Sequence, residues 1–287
     1  MPLDLIPTPR AQETDRPSVT VVVPALNEEQ NLPHVFDRLP DDVDELLLVD
    51  GGSADRTVDV ARELRPDVRV LQQSRTGKGN ALACGFAAAT GDIIVMIDAD
   101  GSTDPAEIPR FVDTLVTGGD FAKGSRFRPE GDSDDITWLR RLGNKALNGT
   151  VNLLFGTRFT DLCYGYNAFW RNVLPALELP DPDRPRPSDG SLLWGDGFEI
   201  ETLLNIHAAV NGCRIREVPS VERRRLHGES NLHTFRDGAR VLRSILSEFR
   251  RLARRERTAL PRLRRELRAA AASTADGSGH RIEQEVH

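Results

Sequence analysis

Short apolar runs alternate with segments of helical periodicity along the first half of the chain, and this alternation constrains the fold more than any other feature. Residues 19–23, 45–49, 68–72, 93–97 and 120–123 are predicted strands. Predicted helices separate them, over residues 31–39, 55–64, 80–89 and 105–116, with Ser53 or Asp55 as the cap of the second. Strands joined by helices of this length form right-handed crossovers in a parallel sheet. We therefore predict an α/β fold with a mostly parallel sheet flanked by helices.

The second half of the chain is less regular. Residues 138–155 have the pattern of an amphipathic helix, residues 198–211 are a predicted helix, and residues 215–221 are a predicted strand. Residues 161–171 are rich in aromatic side chains and predict a strand or a loop. Residues 180–189 are rich in Pro and Asp, which is typical of an exposed loop.

Polar loops follow three of the predicted strands, over residues 24–28, 50–53 and 98–102. The carboxyl ends of parallel strands meet at one edge of a sheet, and ligands bind at that edge in folds of this kind. The convergence of three polar loops therefore predicts a binding site there.

Asp98 and Asp100 directly follow the apolar run over residues 93–97. Side chains alternate along an extended chain, so the two carboxylates can point the same way, about 7 Å apart at the backbone. Such a pair of hard oxygen ligands suits Mg²⁺ or Mn²⁺ carrying a diphosphate. The alternative is an ordinary junction between strand and turn, because Asp and Gly are common turn residues.

The composition favours one large soluble α/β domain. Of the 287 residues, 39% are hydrophobic and 29% are charged, and the net charge of −6 gives no indication of a nucleic-acid partner. The three cysteines are far apart and form no Cys-x-x-Cys pair, which fits a reducing compartment and predicts neither disulfides nor a zinc site. We find no signal peptide and no apolar stretch long enough to predict a membrane span.

The two ends of the chain differ from its middle. We predict a flexible leader over residues 1–17, one α/β domain over 18–234, basic amphipathic helices over 235–270 and a disordered tail over 271–287. Between Arg236 and Arg268 there are 12 arginines against four acidic residues. We predict that residues 235–249 pack on the domain, whereas residues 250–268 could contact an anionic membrane or present a solvated Arg face.

An ordered set of motifs extends through most of the chain. They are Val23-Pro24-Ala25-Leu26-Asn27-Glu28, Asp50-Gly51-Gly52-Ser53, Gly77-Lys78-Gly79, Asp98-Ala99-Asp100, Gly124-Ser125-Arg126, Gly197-Phe198-Glu199-Ile200-Glu201, Glu217-Val218-Pro219 and the segment from Arg225 to Leu232. In this order they resemble glycosyltransferase family 2. The later motifs are similar to its dolichol- or polyprenyl-phosphate mannosyl- and glucosyltransferase branch. The resemblance covers residues 18–246 and implies a GT-A fold, a Rossmann-like sheet that binds a nucleotide sugar.

The resemblance also implies roles for individual residues. Asp98 and Asp100, on either side of Ala99, would hold the divalent metal, with Ser102 as a further polar contact, and Lys78 would lie near the nucleotide. In the same comparison Pro24, Asn27 and Glu28 would line the nucleoside pocket, Asp50 would contact the base or ribose, and Arg126, Arg141 and Ser230 would face phosphates.

Two features depart from the family pattern. The branch usually has Asp-Asp-Gly-Ser after the second strand, whereas Gly51 stands here in place of the second Asp. One carboxylate near the nucleotide is therefore missing. Many members also carry C-terminal membrane spans or a sugar-modifying extension, and we predict neither in this sequence.

The acceptor decides which further groups the chemistry needs. A hydroxyl acceptor must lose a proton to a base, for which Asp161 and Asp196 are the candidates. A phosphate monoester is already ionised near neutral pH, since its second pKa is about 6. It needs cations to hold it, and Arg126, Arg141 and Arg225 are candidates. Each arginine could instead be a solvated surface charge, and each aspartate a cap or turn residue.

These features together predict an enzyme. The leading hypothesis is a metal-dependent, inverting glycosyltransferase that moves a hexose from a nucleotide diphosphate sugar, of the GDP-mannose or UDP-glucose type, to a polyprenyl or dolichyl phosphate. One alternative keeps the donor but uses a hydroxyl acceptor. Another, suggested by Gly51, is a non-catalytic nucleotide-sugar-binding protein. We expect a cytoplasmic location, with peripheral contact to the inner face of the membrane as an open option.

Overall fold

The computed structural model describes residues 16–228 and 236–255. The chain divides into two compact units, with the boundary between Leu242 and Arg243. Ser230, most of the predicted leader and the predicted tail lie outside the described residues. The domain boundaries given above stay predictions.

Nine strands and six α-helices lie between residues 16 and 228, and residues 236–255 are also helical. The strands are β1 (Val19–Ala25), β2 (Glu45–Asp50), β3 (Arg69–Gln72), β4 (Ile93–Met96), β5 (Phe121–Ser125), β6 (Asp132–Ser133), β7 (Asn167–Trp170), β8 (Ile215–Pro219) and β9 (Val221–Glu222). The helices are α1 (Leu32–Phe36), α2 (Thr57–Leu64), α3 (Lys78–Ala88), α4 (Ile108–Val116), α5 (Trp138–Phe155) and α6 (Ile200–Val210). Two 3₁₀ segments, Pro105–Glu107 and Arg171–Leu177, precede α4 and follow β7.

Seven of the strands form one sheet, in the order β3-β2-β1-β4-β7-β5-β8, while β6 and β9 form a small ladder of their own. Within the large sheet only β7 runs antiparallel to its neighbours, β4 and β5. The other pairs are parallel. The predicted mixed, mostly parallel sheet is therefore confirmed, and the aromatic-rich segment over residues 161–171 supplies the inserted strand β7.

Helices cover both faces of this sheet because successive side chains of a strand point to opposite faces. On one face Val21 and Val23 of β1 pack in a core with Phe111 of α4. On the other face Val22 of β1 lies in a core with Phe86 of α3. The central strands are thus buried on both sides, as their near-continuous apolar sequence requires.

Three local expectations differ from the structure. Helix α1 is shorter than predicted because Arg38 and Leu39 close i→i+3 turns ahead of Pro40, with Arg38 N donating to Val35 O at 3.3 Å. Helix α2 begins at Thr57, two residues later than predicted, and Asp55 Oδ1 accepts from Thr57 N at 3.0 Å at its start. Strand β4 ends at Met96, so Asp98 and Asp100 lie in the turn after the strand and not on an extended segment.

Residues 243–255, the described part of the second unit, are helical. Within this helix Arg251 Nε donates to Glu248 Oε2 at 2.8 Å. In the described ranges, no helix combines the length and apolarity needed to cross a membrane.

Candidate active site

The predicted site residues gather at one edge of the sheet. The chain passes from β1 outward to β2 and β3, then returns to β4 on the other side of β1. The crevice beyond the carboxyl ends of β1 and β4 is therefore a topological switch point, where α/β sheets bind ligands. The loop after β1 carries Asn27 and Glu28, and the turn after β4 carries Asp98 and Asp100. Because β7 runs in the opposite direction, the residues that precede it, including Asp161, also lie at this edge.

The loops after β1 and β2 are joined by hydrogen bonds. Asn27 has a positive φ of 57° and its Oδ1 accepts from Ala54 N at 2.8 Å. Ser53 Oγ accepts from Asn27 N at 2.9 Å. The buried Asp50 carboxylate accepts from the backbone N–H groups of Gly52 and Ser53, each at 3.1 Å. Asp50 thus stabilises the turn over residues 50–53. Pro24 is half-buried near the end of β1, just before the loop that carries Asn27.

Lys78 links the first carboxylate of the Asp-x-Asp turn to α6. Its Nζ lies 2.6 Å from Asp98 Oδ1 and 2.6 Å from Glu201 Oε1. Burial lowers the pKa of Lys78, but the two carboxylates more than offset this and raise it above its ordinary value. Burial raises the pKa of Glu201, and the ammonium group opposes that rise. Lys78 is therefore a fixed cation beside Asp98.

The start of α3, which carries Lys78, packs directly on the backbone of residues 195–196. Gly79 N donates to Asp196 O at 2.8 Å. A Cβ atom at Gly79 would lie 1.9 Å from Gly195 O, and one at Gly77, whose φ is 118°, would lie 2.1 Å from Asp196 O. Only glycine fits at both positions, because the neighbouring atoms are backbone. This approach fixes the start of α3, and with it Lys78, against the loop before α6.

Asp196 is itself held by an arginine. Its carboxylate accepts from Arg75 Nε at 2.8 Å and from Arg75 Nη2 at 2.9 Å, and the side chains of both residues are almost fully buried. Arg75 Nη1 also donates to the carbonyl oxygens of Asp181 and Arg184. Asp196, a predicted base candidate, is thus placed in a buried two-point ion pair.

A second chain of contacts leads from Asp100 to Glu28. Arg225 Nη1 lies 3.8 Å from Asp100 Oδ2, and Arg225 Nη2 pairs with Glu28. Glu28 Oε2 accepts from Asn31 Nδ2 at 2.6 Å, and Asn31 Oδ1 accepts from His227 N at 2.9 Å. Burial raises the pKa of Glu28, opposed by its hydrogen bonds from Asn31 and Arg225. These contacts bring the segment after β9 beside the loop after β1.

Arg126 lies in a buried ion-pair cluster. Its Nε and Nη2 donate to Asp161 at 2.7 Å and 2.9 Å, and its Nη1 donates to Glu222 Oε2 at 2.9 Å. Asp161 also accepts from Asn144 Nδ2 at 2.8 Å. Burial raises the pKa of Asp161, but the guanidinium of Arg126 more than offsets this and lowers it below the ordinary value. The Arg126 side chain is only 8% exposed, so little of its guanidinium is accessible to a phosphate while these ion pairs are intact.

Arg141 is exposed on α5, and its guanidinium carbon lies 5.4 Å from the centre of the Phe127 ring. The guanidinium carbon of Arg126 lies 5.7 Å from the same ring. Two of the predicted phosphate-binding arginines are therefore brought together around Phe127. The backbone oxygen of Ser102 accepts from Arg223 N at 2.8 Å. Ala99, which stands between Asp98 and Asp100 in the sequence, is buried in the core.

Several residues at this edge had no role assigned from the sequence. Three of them each form an ion pair with a predicted site residue: Glu201 with Lys78, Arg75 with Asp196, and Glu222 with Arg126. Their partners are far away in the chain, so neither periodicity nor spacing indicates the pairing. A signal was present for Glu201, because a carboxylate in the apolar run at the start of α6 needs a partner when it is buried.

The Asp98 and Asp100 side chains fit a hard divalent cation. They are 28% and 22% exposed, so both carboxylates can be reached from the crevice. Carboxylate oxygens are the ligands that Mg²⁺ prefers. Among the described residues, no group of three or more His, Cys, Asp or Glu is arranged to hold a metal. Any ion here would depend on these two carboxylates and on oxygen atoms from its ligand.

A cavity of about 850 Å³ opens beside α1. Its lining includes His34, Arg38, Gly101 and Leu226. It adjoins the turn after Asp100, but none of the described residues predicted to bind the metal or the nucleotide lines it. The assignment of the site therefore depends on the side chains at the sheet edge and not on this cavity.

The fold and its site define an α/β protein with a ligand crevice at the switch point of the sheet. The sequence model of the family "Glycosyl transferase family 2" matches residues 20–177, and the chain belongs to this family. It is therefore a glycosyltransferase, and the expected enzyme class is confirmed.

Characterised relatives are similar over most of the chain. The polyprenol monophosphomannose synthase of Mycolicibacterium smegmatis is 34% identical over 69% of this chain and 75% of its own length. The undecaprenyl-phosphate mannosyltransferase of Micrococcus luteus is 32% identical over 75% of this chain and 87% of its own. These similarities confirm the predicted resemblance to the polyprenyl-phosphate branch.

A solved structure has the same fold. Glucosyl-3-phosphoglycerate synthase from Mycobacterium tuberculosis, in complex with Mn²⁺, uridine diphosphate and phosphoglyceric acid, is similar with a TM-score of 0.62 and 25% identity. The similarity covers 81% of this chain and 78% of that one. The predicted GT-A fold is thereby confirmed.

Proposed function

We propose that this glycosyltransferase moves a hexose from a nucleotide diphosphate sugar to the phosphate of a polyprenyl lipid. The observation that supports this acceptor most is the state of the two candidate bases. Asp161 and Asp196 are both buried and both held in two-point ion pairs with arginine. A hydroxyl acceptor needs a base to take its proton, whereas a phosphate monoester is already ionised near neutral pH. An acceptor that needs no base fits this arrangement better.

The donor would lie in the crevice between the loops after β1 and β4. Asp98 and Asp100 would hold the Mg²⁺ or Mn²⁺ ion, which would stabilise negative charge on the departing diphosphate. Lys78 would contribute a further positive charge, fixed beside Asp98 by Glu201 and by the tight contact of Gly79 with Gly195. Direct displacement by the acceptor phosphate would invert the anomeric centre.

The nucleoside would contact the loops after β1 and β2. Asn27 and Asp50 are held in place there by hydrogen bonds to neighbouring backbone. Glu28 is held on the same side by Asn31 and Arg225. A Cβ at Gly51 would lie 3.2 Å from Ala25 O, so the position has little room for the aspartate usual in the branch.

Positive charge for the acceptor phosphate would come from the other end of the crevice. Arg141 is exposed beside Phe127, so it is the arginine of this pair that can reach a ligand without breaking an ion pair with Asp161 or Glu222. We assign Arg126 a positioning role through Asp161 and Glu222. The names of two relatives, polyprenol monophosphomannose synthase and undecaprenyl-phosphate mannosyltransferase, support this kind of acceptor. The location proposed for the enzyme is the cytoplasmic face of a membrane.

Incubation of the full chain with radiolabelled GDP-mannose or UDP-glucose, Mn²⁺ and undecaprenyl phosphate tests this function. Label is expected in an extractable lipid that mild acid hydrolyses, because a glycosyl phosphate is acid-labile. Asp100→Asn should abolish the transfer, while Asp113→Asn, at an exposed position of α4, should leave it unchanged. Equal turnover by wild type and Asp100→Asn would refute the metal-binding role.

A second candidate keeps the donor site and uses a hydroxyl acceptor. The structural similarity to glucosyl-3-phosphoglycerate synthase favours it. The same assay separates the two, because offering phosphoglyceric acid would then give an acid-stable, water-soluble product. Label only in the aqueous product would overturn the lipid-phosphate proposal.

A further inference from the structure

Helix α5 buries a row of amide side chains together with Val151, and it exposes three large apolar side chains. Asn144, Asn148 and Asn152 follow one another at i, i+4 and i+8 on the inner face. Asn144 donates to Asp161 Oδ1 at 2.8 Å, Asn148 to Thr160 O at 2.6 Å and Asn152 to Phe159 O at 2.9 Å. The Asn148 and Asn152 amides also accept from backbone N–H groups of the same segment. The helix is therefore fixed in rotation by hydrogen bonds to the segment that leads into β7.

The solvent-exposed face of α5 carries an apolar stripe, which we define as Trp138, Leu142 and Leu153. These side chains are 77%, 58% and 84% exposed. At 3.6 residues per turn they fall within an arc of about 60°, and they span about 22 Å along the helix axis. Large apolar side chains that share one face and remain exposed indicate a surface that contacts a partner.

The charge on α5 indicates the chemistry of that partner. The helix contains Arg140, Arg141 and Lys145 and no acidic residue, in a chain whose net charge is −6. The exposed Arg141 and Lys145 flank the stripe along one side. An apolar stripe with cationic side chains beside it, and with Trp at one end, is suited to an anionic lipid surface.

We infer that the outward face of α5 docks the enzyme on an anionic membrane. Trp138, Leu142 and Leu153 insert among the lipids at the headgroup level, while Arg141 and Lys145 contact lipid phosphates. The inner face of the same helix holds Asp161 through Asn144, so docking brings the Arg126–Phe127–Arg141 region next to the lipid surface. The biological use of this surface rests on the proposed lipid-phosphate acceptor, but membrane binding can be measured without any donor or acceptor.

Sedimentation of the full chain with vesicles tests the surface. Wild type should bind vesicles of phosphatidylcholine with phosphatidylglycerol, more weakly at high salt, and bind poorly to phosphatidylcholine alone. The double variant Leu142→Gln/Leu153→Gln should bind at least about tenfold more weakly, since two exposed leucines no longer insert. Lys145→Gln should weaken binding about fivefold. Val116→Gln, which alters a residue of α4 that is 50% exposed, is the matched control and should bind as wild type does.

The variants change exposed side chains, so their melting temperatures should equal that of wild type. Vesicle binding that is the same for wild type and the leucine variant would overturn the inference. A wild-type dimer that becomes monomeric in the leucine variant would also overturn it, because the stripe would then be covered by a second copy of the chain.

A transfer assay separates this inference from the proposed function. The leucine variant should transfer sugar at the wild-type rate to polyprenyl phosphate in detergent, and more slowly to the same lipid in vesicles. If no transfer occurs in either condition while binding to vesicles still depends on the stripe, the proposed function fails and the docking surface stands.

Discussion

Replacing Asp161 with asparagine removes a buried negative charge while keeping the shape of the side chain. Asp161 is fully buried and accepts two hydrogen bonds from the Arg126 guanidinium, at 2.7 and 2.9 Å, and one from Asn144. Losing one partner of a buried ion pair costs about 3–5 kcal/mol, because the remaining charge stays desolvated. In a domain of this size, 1 kcal/mol corresponds to a change of about 2–4 °C in melting temperature. We therefore expect Asp161→Asn to melt about 6–20 °C lower than wild type.

Differential scanning fluorimetry of the full chain measures this difference, and Asp67→Asn provides a matched control. Asp67 also makes a two-point contact with an arginine, Arg65, at 3.2 Å for each contact, but its side chain is 68% exposed. Exposed pairs contribute about 0–1 kcal/mol, so the control should lose no more than about 4 °C. Equal losses in the two variants would refute the conclusion that burial makes the Asp161 pair important.

The same variant gives a defined pH dependence. The pKa of Asp161 is lower in the folded protein than its ordinary value, which is about 3.9. The stabilisation by the pair is therefore complete well above that ordinary value and is lost as the pH falls below it. The gap in melting temperature between wild type and Asp161→Asn should be full at pH 7 and should narrow below about pH 4. A gap that stays constant down to pH 3 would contradict the assigned ionisation.

Catalysis by Asp161→Asn separates a positioning role from a base role. A lost general base would lower kcat by about 10²–10⁴. A positioning residue that holds Arg126, and that holds α5 with its Arg141 through Asn144, should instead leave most of kcat and raise KM for the acceptor, both measured well below the reduced melting temperature. A kcat loss of the larger size with unchanged KM would return Asp161 to the role of base.

Three further outcomes follow from the geometry around Lys78. Gly79→Ala would place a Cβ 1.9 Å from Gly195 O and should abolish donor binding in calorimetry, while Gly143→Ala, with nothing within 4 Å, should fold and bind normally. Gly165→Ala would place a Cβ 2.5 Å from Glu201 Oε1 and should weaken donor binding several-fold, an effect that unchanged affinity would exclude. Lys78→Met removes the cation 2.6 Å from Asp98, so Mn²⁺ alone should bind at least about fivefold more tightly and the donor more weakly. Weaker binding of Mn²⁺ alone would argue against Asp98 as a metal ligand.

Much of the architecture could be predicted because it depends on local pattern. The apolar runs locate β1, β2 and β4 to within about two residues, and α5 has the bounds that its periodicity predicts. The edge at which the site forms also follows, since parallel strands bring their carboxyl ends together. The direction of β7 could not be predicted in this way, because an aromatic-rich segment gives no indication of whether it enters the sheet parallel or antiparallel.

The sequence by itself determined the family, the order of strands and helices, and the loops that carry Asp98, Asp100, Asp50 and Lys78. It did so because strand and helix periods, turn residues and motif order are all properties of neighbouring residues. Only the tertiary structure decided which charges meet. Lys78 finds Glu201 from α6, and Arg126 finds Asp161 and Glu222, through contacts between segments far apart in the chain.

The outward face of α5 was likewise decided by tertiary structure. Periodicity predicts a two-faced helix but not which face is buried, and an apolar face is normally expected to point inward. Here the backbone that leads into β7 has donors and acceptors that three asparagines satisfy, so the face that carries them is buried together with Val151. The face that carries Trp138, Leu142 and Leu153 is exposed. Buried backbone groups require hydrogen-bond partners, and that requirement outweighs the burial of three apolar side chains.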